Sequence, residues 1–269
     1  MDVFSCIVFQ IAIFIVLIYV VGFIISLINR MFYRLTGGGR GVTLATGVIG
    51  TPIHEISHAV MCLVFFHRIE EIKFFQVNDE NGVLGYVNHS YNRRNLFQVI
   101  GNYFIGVAPI MVGALILYLL FNALLPNASL VFNKDLEAFV VLQGSGFDDN
   151  TIGYLIAVAQ GFLQAVFTVD FGFTTILFLI ISLCIAMHMN LSGADIKGSL
   201  GALPLLIILI VAFNYVFWLI SATGYVAFFE GVVVVSCYLL VMLVMSLLFS
   251  LMLLVLGGFV SFIKRIFSR

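Results

Sequence analysis

Gly50-Thr51-Pro52-Ile53-His54-Glu55-Ile56-Ser57-His58-Ala59 lies inside an apolar run covering roughly 43–66. A run of about 20 mainly apolar residues spans a bilayer as a helix. Read as a helix, this run stacks His54 and His58, four residues apart, on one face. Both imidazoles then reach one metal ion, with Glu55 beside them to take a proton from water. Two imidazoles and a carboxylate suit a single zinc ion, with a fourth position open to water. Zinc lowers the pKa of a coordinated water to about 7, so hydroxide is available at neutral pH. Three ionisable side chains within five residues of an apolar run are costly, at about 2.5–3.5 kcal/mol for a central charge. A metal ion removes much of that cost. The readings without catalysis are a hydrogen-bonded cluster of His and Glu between helices, or a zinc site with no protease activity.

The rest of the chain supplies the setting. Of its 269 residues, 62% are hydrophobic and 9% charged, with a net charge of −1 and 28 Phe. Soluble domains carry about 25% charged residues, so an ordinary water-soluble fold is excluded. A disordered chain and a basic nucleic-acid binder are excluded for the same reason. Apolar runs fall at roughly 4–28, 43–66, 100–125, 172–190, 203–225 and 232–262. The fold class expected is an all-α polytopic membrane protein of about six transmembrane helices, or seven if 151–169, which holds Gln160 and Gln164, also crosses. The first run lacks a basic leader and is too long for a signal peptide, so it reads as a retained span. The last is long enough to tilt, kink or extend past the bilayer. Pro52 is expected to kink the second span or to start a helix within it. Gly47 and Gly50 read either as sites of close helix approach or as plain packing glycines.

Three polar segments separate the runs. Residues 29–41, with Arg30, Arg34, Arg40 and Gly37-Gly38-Gly39, read as a flexible connector. Between His67 and Asn95, two β-prone runs (71–77 and 83–87) flank 78–82, which reads as a β-hairpin. Residues 127–150, mildly acidic, read as a loop. The organisation expected is one integral membrane domain, 1–269: a first span and Gly-rich connector (1–42), a core with the hairpin 67–95 (43–200), and C-terminal spans (201–269). Cys6, Cys62, Cys184 and Cys237 follow no metal-ligand spacing and read as buried reduced thiols. His67 and His89 flank the hairpin and read as solvent-facing.

A third zinc ligand must come from elsewhere in the chain. The ionisable residues in or near the other apolar runs are Asp170, His188, Asp195 and Glu230. Asp195 ranks first and His188 second, because Asn190, Ser192 and Gly193 interrupt the apolar pattern there, and such breaks line cavities at membrane depth. Asp195 also reads as a helix-end residue paired with Lys197. Asp170 and Glu230 read as solvated span ends.

At this point the residues resemble a known family, the site-2 protease group of intramembrane zinc metalloproteases. The resemblance covers roughly 43–200. It rests on His54-Glu55-Ile56-Ser57-His58-Ala59 in a span, on the following hairpin with Leu84-Gly85-Tyr86-Val87, on Val107-Ala108-Pro109 opening the next span, and on the late Asn190…Asp195 element. Family members carry prolines and an Asp-Gly in that last element. Here no proline lies between Asn190 and Asp195, and Ile-Lys-Gly follows the Asp. The resemblance implies a minimal core without PDZ or CBS domains, with His54, His58 and Asp195 as zinc ligands and Glu55 as general base. It also implies membrane-spanning or membrane-associated peptides as substrates.

If 151–169 does not cross, the hairpin, Asp195 and the C-terminus share one side. That side holds Arg68, Lys73, Arg93, Arg94, Lys197, Lys264, Arg265 and Arg269, against Arg30, Arg34, Arg40 and Lys134 on the other. The excess of basic residues favours the hairpin side as cytoplasmic, and the simple loops and small size point to a prokaryotic cytoplasmic membrane. Two other readings compete. A prenyl-protein-processing type of zinc membrane protease needs a downstream Glu in a helix, and neither Glu137 nor Glu230 suits it. A transporter or a metal-binding pseudoprotease has no need of Glu55, and a transporter needs ionisable groups along a path through several helices.

Overall fold

The computed structural model describes residues 2–37, 40–77, 82–143, 151–168 and 172–267. The chain folds as helices α1 (Val3–Ile11), α2 (Ile18–Thr36), α3 (Arg40–Val64), α4 (Leu96–Leu124), α5 (Pro126–Gln143), α6 (Thr151–Phe167), α7 (Phe173–His188), α8 (Gly193–Ile220) and α9 (Ala222–Phe267). A π-helical segment, Ala12–Leu17, joins α1 to α2. Strands β1 (Arg68–Lys73) and β2 (Tyr86–Ser90) form one antiparallel pair between α3 and α4.

Among the described residues, five helical stretches are long and apolar enough to cross a membrane: Val3–Thr36, Arg40–Val64, Leu96–Leu124, Gly193–Ile220 and Ala222–Ile263. At 1.5 Å per residue, the 16-residue α7 is about 24 Å long and α9 about 69 Å. The first is shorter than a hydrocarbon core of about 30 Å and the second is more than twice as long.

Helix α4 is central, packed against α3, α7, α8 and α9. Its residues 105–110 are buried on every side, as expected of a helix that is apolar all round. Five wholly buried phenylalanines from five helices, Phe121, Phe132, Phe162, Phe178 and Phe249, meet mostly edge to face. Tyr103 of α4 donates its hydroxyl to the Phe14 carbonyl in the π segment. Gln10, Asn214 and Tyr225 form a buried polar knot joining α1, α8 and α9, in which the two amides exchange hydrogen bonds of 2.9 and 3.1 Å.

Several expectations about the helices change. The connector shrinks to the turn after Thr36, because Ile25, Ile28, Asn29, Phe32 and Thr36 form a buried stripe that extends the first helix. The acidic loop is largely helix α5, where Ala128, Phe132, Leu136 and Phe139 face the core at helical spacing. Charge had masked that period. The fifth span starts ten residues earlier than its apolar run, at Gly193, and ends at Ser221, whose hydroxyl accepts from the Gly224 amide. Glu230 consequently falls inside α9, where it is exposed.

The hairpin forms with its ladder displaced from the expected runs. Arg68 pairs with Ser90 and Lys73 with Tyr86, with a bulge between Ile69 and Glu71. The ladder therefore sits at the base, beside α3. Toward the tip, one backbone bond, Gln76 to Leu84, ties the strands; residues 78–81 and Asp170 lie outside the described residues. Helix α3 continues through Pro52.

Candidate metal centre

Helix α3 carries His54, Glu55 and His58 halfway along its length, and α8 carries Asp195 in its first turn. One ring nitrogen of each histidine and one oxygen of Asp195 lie within 4.8 Å of one another. His54 Nε2 and His58 Nε2 are 3.2 Å apart, and His58 Nε2 is 3.4 Å from Asp195 Oδ1.

The far side of each ring fixes its tautomer. His54 Nδ1 donates to the His188 carbonyl at 2.7 Å, and His58 Nδ1 donates to the Ile105 carbonyl at 2.8 Å. A carbonyl only accepts, so a neutral imidazole held this way turns a bare lone pair from Nε2 toward its neighbour. Two lone pairs and a carboxylate oxygen thus converge. A proton satisfies one pair of these acceptors; a single divalent cation satisfies all three. With zinc–nitrogen and zinc–oxygen bonds of about 2.0–2.1 Å at tetrahedral angles, ligand atoms sit about 3.3 Å apart. The observed 3.2 and 3.4 Å fit that spacing.

Asp195 is held by a capping box. Its Oδ2 accepts from the Ser192 amide at 2.8 Å, and its own amide donates to the Ser192 hydroxyl at 3.1 Å. One oxygen therefore ends the helix and the other faces His58. Asp195 is indeed a helix-end residue, with Ser192 rather than Lys197 as its partner. Metal ligands are commonly oriented by carbonyls and amides in this way.

The His188 side chain stands outside this group. Its Nδ1 meets the Cys184 carbonyl at 3.0 Å, and its Nε2 is buried with no hydrogen-bond partner. The residue takes part through its main-chain oxygen. Asn190 bonds to Asn29 and to the Met187 carbonyl, bracing the break between α7 and α8. Gly50 faces α7, where a Cβ would fall 2.7 Å from His188 Cγ; Gly47 faces Leu84 and Phe75 of the hairpin.

Glu55 is buried beside the histidines, and with His54, His58 and Asp195 it lines a cavity of about 420 Å³. Gly85, Tyr86, Val87 and Asn88 of the hairpin form another wall. His89 lines the same cavity, and burial pushes its pKa down to about 4, with His67 alongside adding to the effect. His67, expected at the surface, is 4% exposed, sandwiched between the end of α3 and the start of α4. Its Nε2 donates to the Gln98 carbonyl at 2.7 Å, and Tyr91 stacks on it.

Sequence reasoning missed Ser192, Ile105 and the His188 carbonyl as supports of the centre. Ser192, three residues before Asp195, was visible as a capping box; the two carbonyls carry no sequence signal. Comparison of the chain with protein-family models, with curated proteins and with solved structures finds no match.

Proposed function

We propose that the chain is an intramembrane zinc endopeptidase of the site-2 protease type, acting on membrane-spanning or membrane-associated peptides. The observation that carries this reading is the convergence of His54 Nε2, His58 Nε2 and Asp195 Oδ1 beside Glu55 in one cavity, among helices apolar enough to lie in a bilayer. His54, His58 and Asp195 would hold the ion. Zinc in such a site acidifies water and polarises a carbonyl.

The chain's own residues do the rest. The Glu55 carboxylate accepts the proton of the attacking water and returns it to the leaving amine. The carbonyls of Ile105 and His188 hold both imidazoles by Nδ1 and turn Nε2 toward the centre, and the Ser192 amide keeps Asp195 aimed at them. A peptide bond within a helix is shielded by its own hydrogen bonds, so the substrate must unwind. An extended substrate laid along 83–87, which borders the cavity, would bring its main chain to Glu55. The excess of basic residues near the hairpin and the C-terminus supports a cytoplasmic location for that face.

The test is co-expression with a single-span substrate, comparing wild type with Glu55→Gln. The substitution keeps size and hydrogen bonding and removes the base. Cleavage is expected to fall by about 10²–10⁴-fold. Cleavage at the wild-type rate refutes the mechanism.

A further inference from the structure

Cys62 lies one helical turn beyond His58, so residues 54, 58 and 62 run down one face of α3. Two histidines reach Cys62 from outside the helix: His67, in the turn before β1, and His89 on β2. The Cys62 sulfur and one nitrogen of each ring lie within 4.8 Å of one another. None of the three belongs to the set at His54, His58 and Asp195.

One ring is held as in the first cluster. The Gln98 carbonyl accepts from His67 Nε2, leaving a lone pair on Nδ1. That nitrogen is in hydrogen-bond contact with His89 Nδ1 at 3.0 Å, a contact in which a metal ion would replace the shared proton. The Gln98 carbonyl comes within reach because α4 passes close by: a Cβ on Gly101 would fall 2.5 Å from Phe65 Cβ and 2.9 Å from His67 Nε2. Cys62 is wholly buried and forms no disulfide. Around a zinc ion, two imidazole nitrogens sit about 3.3 Å apart and a thiolate sulfur about 3.6 Å from each. The nitrogen pair is near that spacing, and the limit of 4.8 Å leaves room for the sulfur.

We infer that Cys62, His67 and His89 form a second metal site, containing a thiolate and suited to zinc, separate from the one at His54, His58 and Asp195. Binding displaces the thiol proton to solvent, since the thiolate is the ligand. The ion ties three pieces together: the end of α3, the turn after it, and β2. His89 lines the cavity and follows Tyr86, Val87 and Asn88, which line it too. The site therefore fastens the hairpin wall to the helix that carries Glu55. Its sequence signature is weak, because the ligands are 5 and 22 residues apart and one of them comes from a strand.

Cobalt(II) separates the two sites, because only the second contains sulfur. The full chain, purified in detergent and titrated with cobalt, should show a near-ultraviolet sulfur-to-cobalt charge-transfer band that saturates by two ions per chain, and by one in a His54→Ala/His58→Ala variant. Zinc in excess over both sites should abolish it. The band should vanish in Cys62→Ser and persist in a His54→Ala/His58→Ala variant. His89→Gln, on the partly exposed strand, should weaken binding by about 10–100-fold. A wild-type chain without the band, a band that survives Cys62→Ser, or unchanged affinity in His89→Gln overturns the inference. If Cys62→Ser does not fold, His89→Gln decides. The band is independent of proteolysis, so loss of cleavage activity alone leaves the inference standing.

Discussion

Gly106→Ala drives a wedge between the two halves of the candidate centre. Gly106 follows Ile105, whose carbonyl holds His58, and it faces the first turn of α8, which carries Asp195. A Cβ at Gly106 would fall 2.5 Å from the Asp195 carbonyl oxygen and 2.7 Å from Ser199 Cβ. That carbonyl cannot swing aside freely, because the Ser199 hydroxyl donates to it at 2.6 Å. Unstrained contact requires about 3.4 Å, so α8 must retreat by about 0.9 Å. His58 remains tied to α4, so the retreat lengthens the 3.4 Å between His58 Nε2 and Asp195 Oδ1. A metal constellation tolerates displacements of about 0.5 Å. Zinc affinity, measured by chelator competition on detergent-purified protein, is therefore expected to drop by about 10–100-fold. Overpacking costs about 1–3 kcal/mol in thermal unfolding with chelator present. The control is Gly201→Ala, also on α8, whose Cβ would meet nothing within 4 Å. It should leave zinc binding intact and stabilise the helix by about 0.5–1 kcal/mol. If Gly106→Ala binds zinc as wild type does, the reasoning that α4–α8 packing sets the position of Asp195 is wrong.

Three further substitutions probe the same architecture. His188→Ala should leave zinc binding at His54, His58 and Asp195 unchanged, because the oxygen that orients His54 belongs to the main chain; a loss of zinc binding in metal analysis would make the His188 ring a ligand. Ser192→Ala should cost about 1 kcal/mol of stability through the lost cap, with little change in zinc affinity, since the amide that holds Asp195 Oδ2 remains. Chelator competition and thermal unfolding, run side by side, would expose a different division. Asn214→Leu strands Gln10 and Tyr225 and should cost about 1–3 kcal/mol, with partial recovery in Gln10→Leu/Asn214→Leu; additive unfolding energies in that cycle would show that the knot is not a coupled unit.

Local sequence determined the lipid-compatible helices, because runs such as 100–125 carry their apolar character residue by residue. It also determined that His54 and His58 share a face, because a separation of four is fixed by the helical repeat alone. It announced the hairpin through its β-prone runs, though not which residues pair. Helix α5 was legible too, in the period from Ala128 to Phe139, but its charges hid it.

Tertiary structure decided everything that depends on two distant segments meeting. Asp195 approaches His58 from 137 positions away, and two main-chain carbonyls, chemically identical to every other, become decisive only because α4 and α7 place them against the imidazoles. The meeting of Cys62 with His67 and His89 is of the same kind. A helix sets the direction of its own side chains through local sterics. The partners those side chains meet are set by how the helices and the hairpin pack, and no single stretch of chain encodes that.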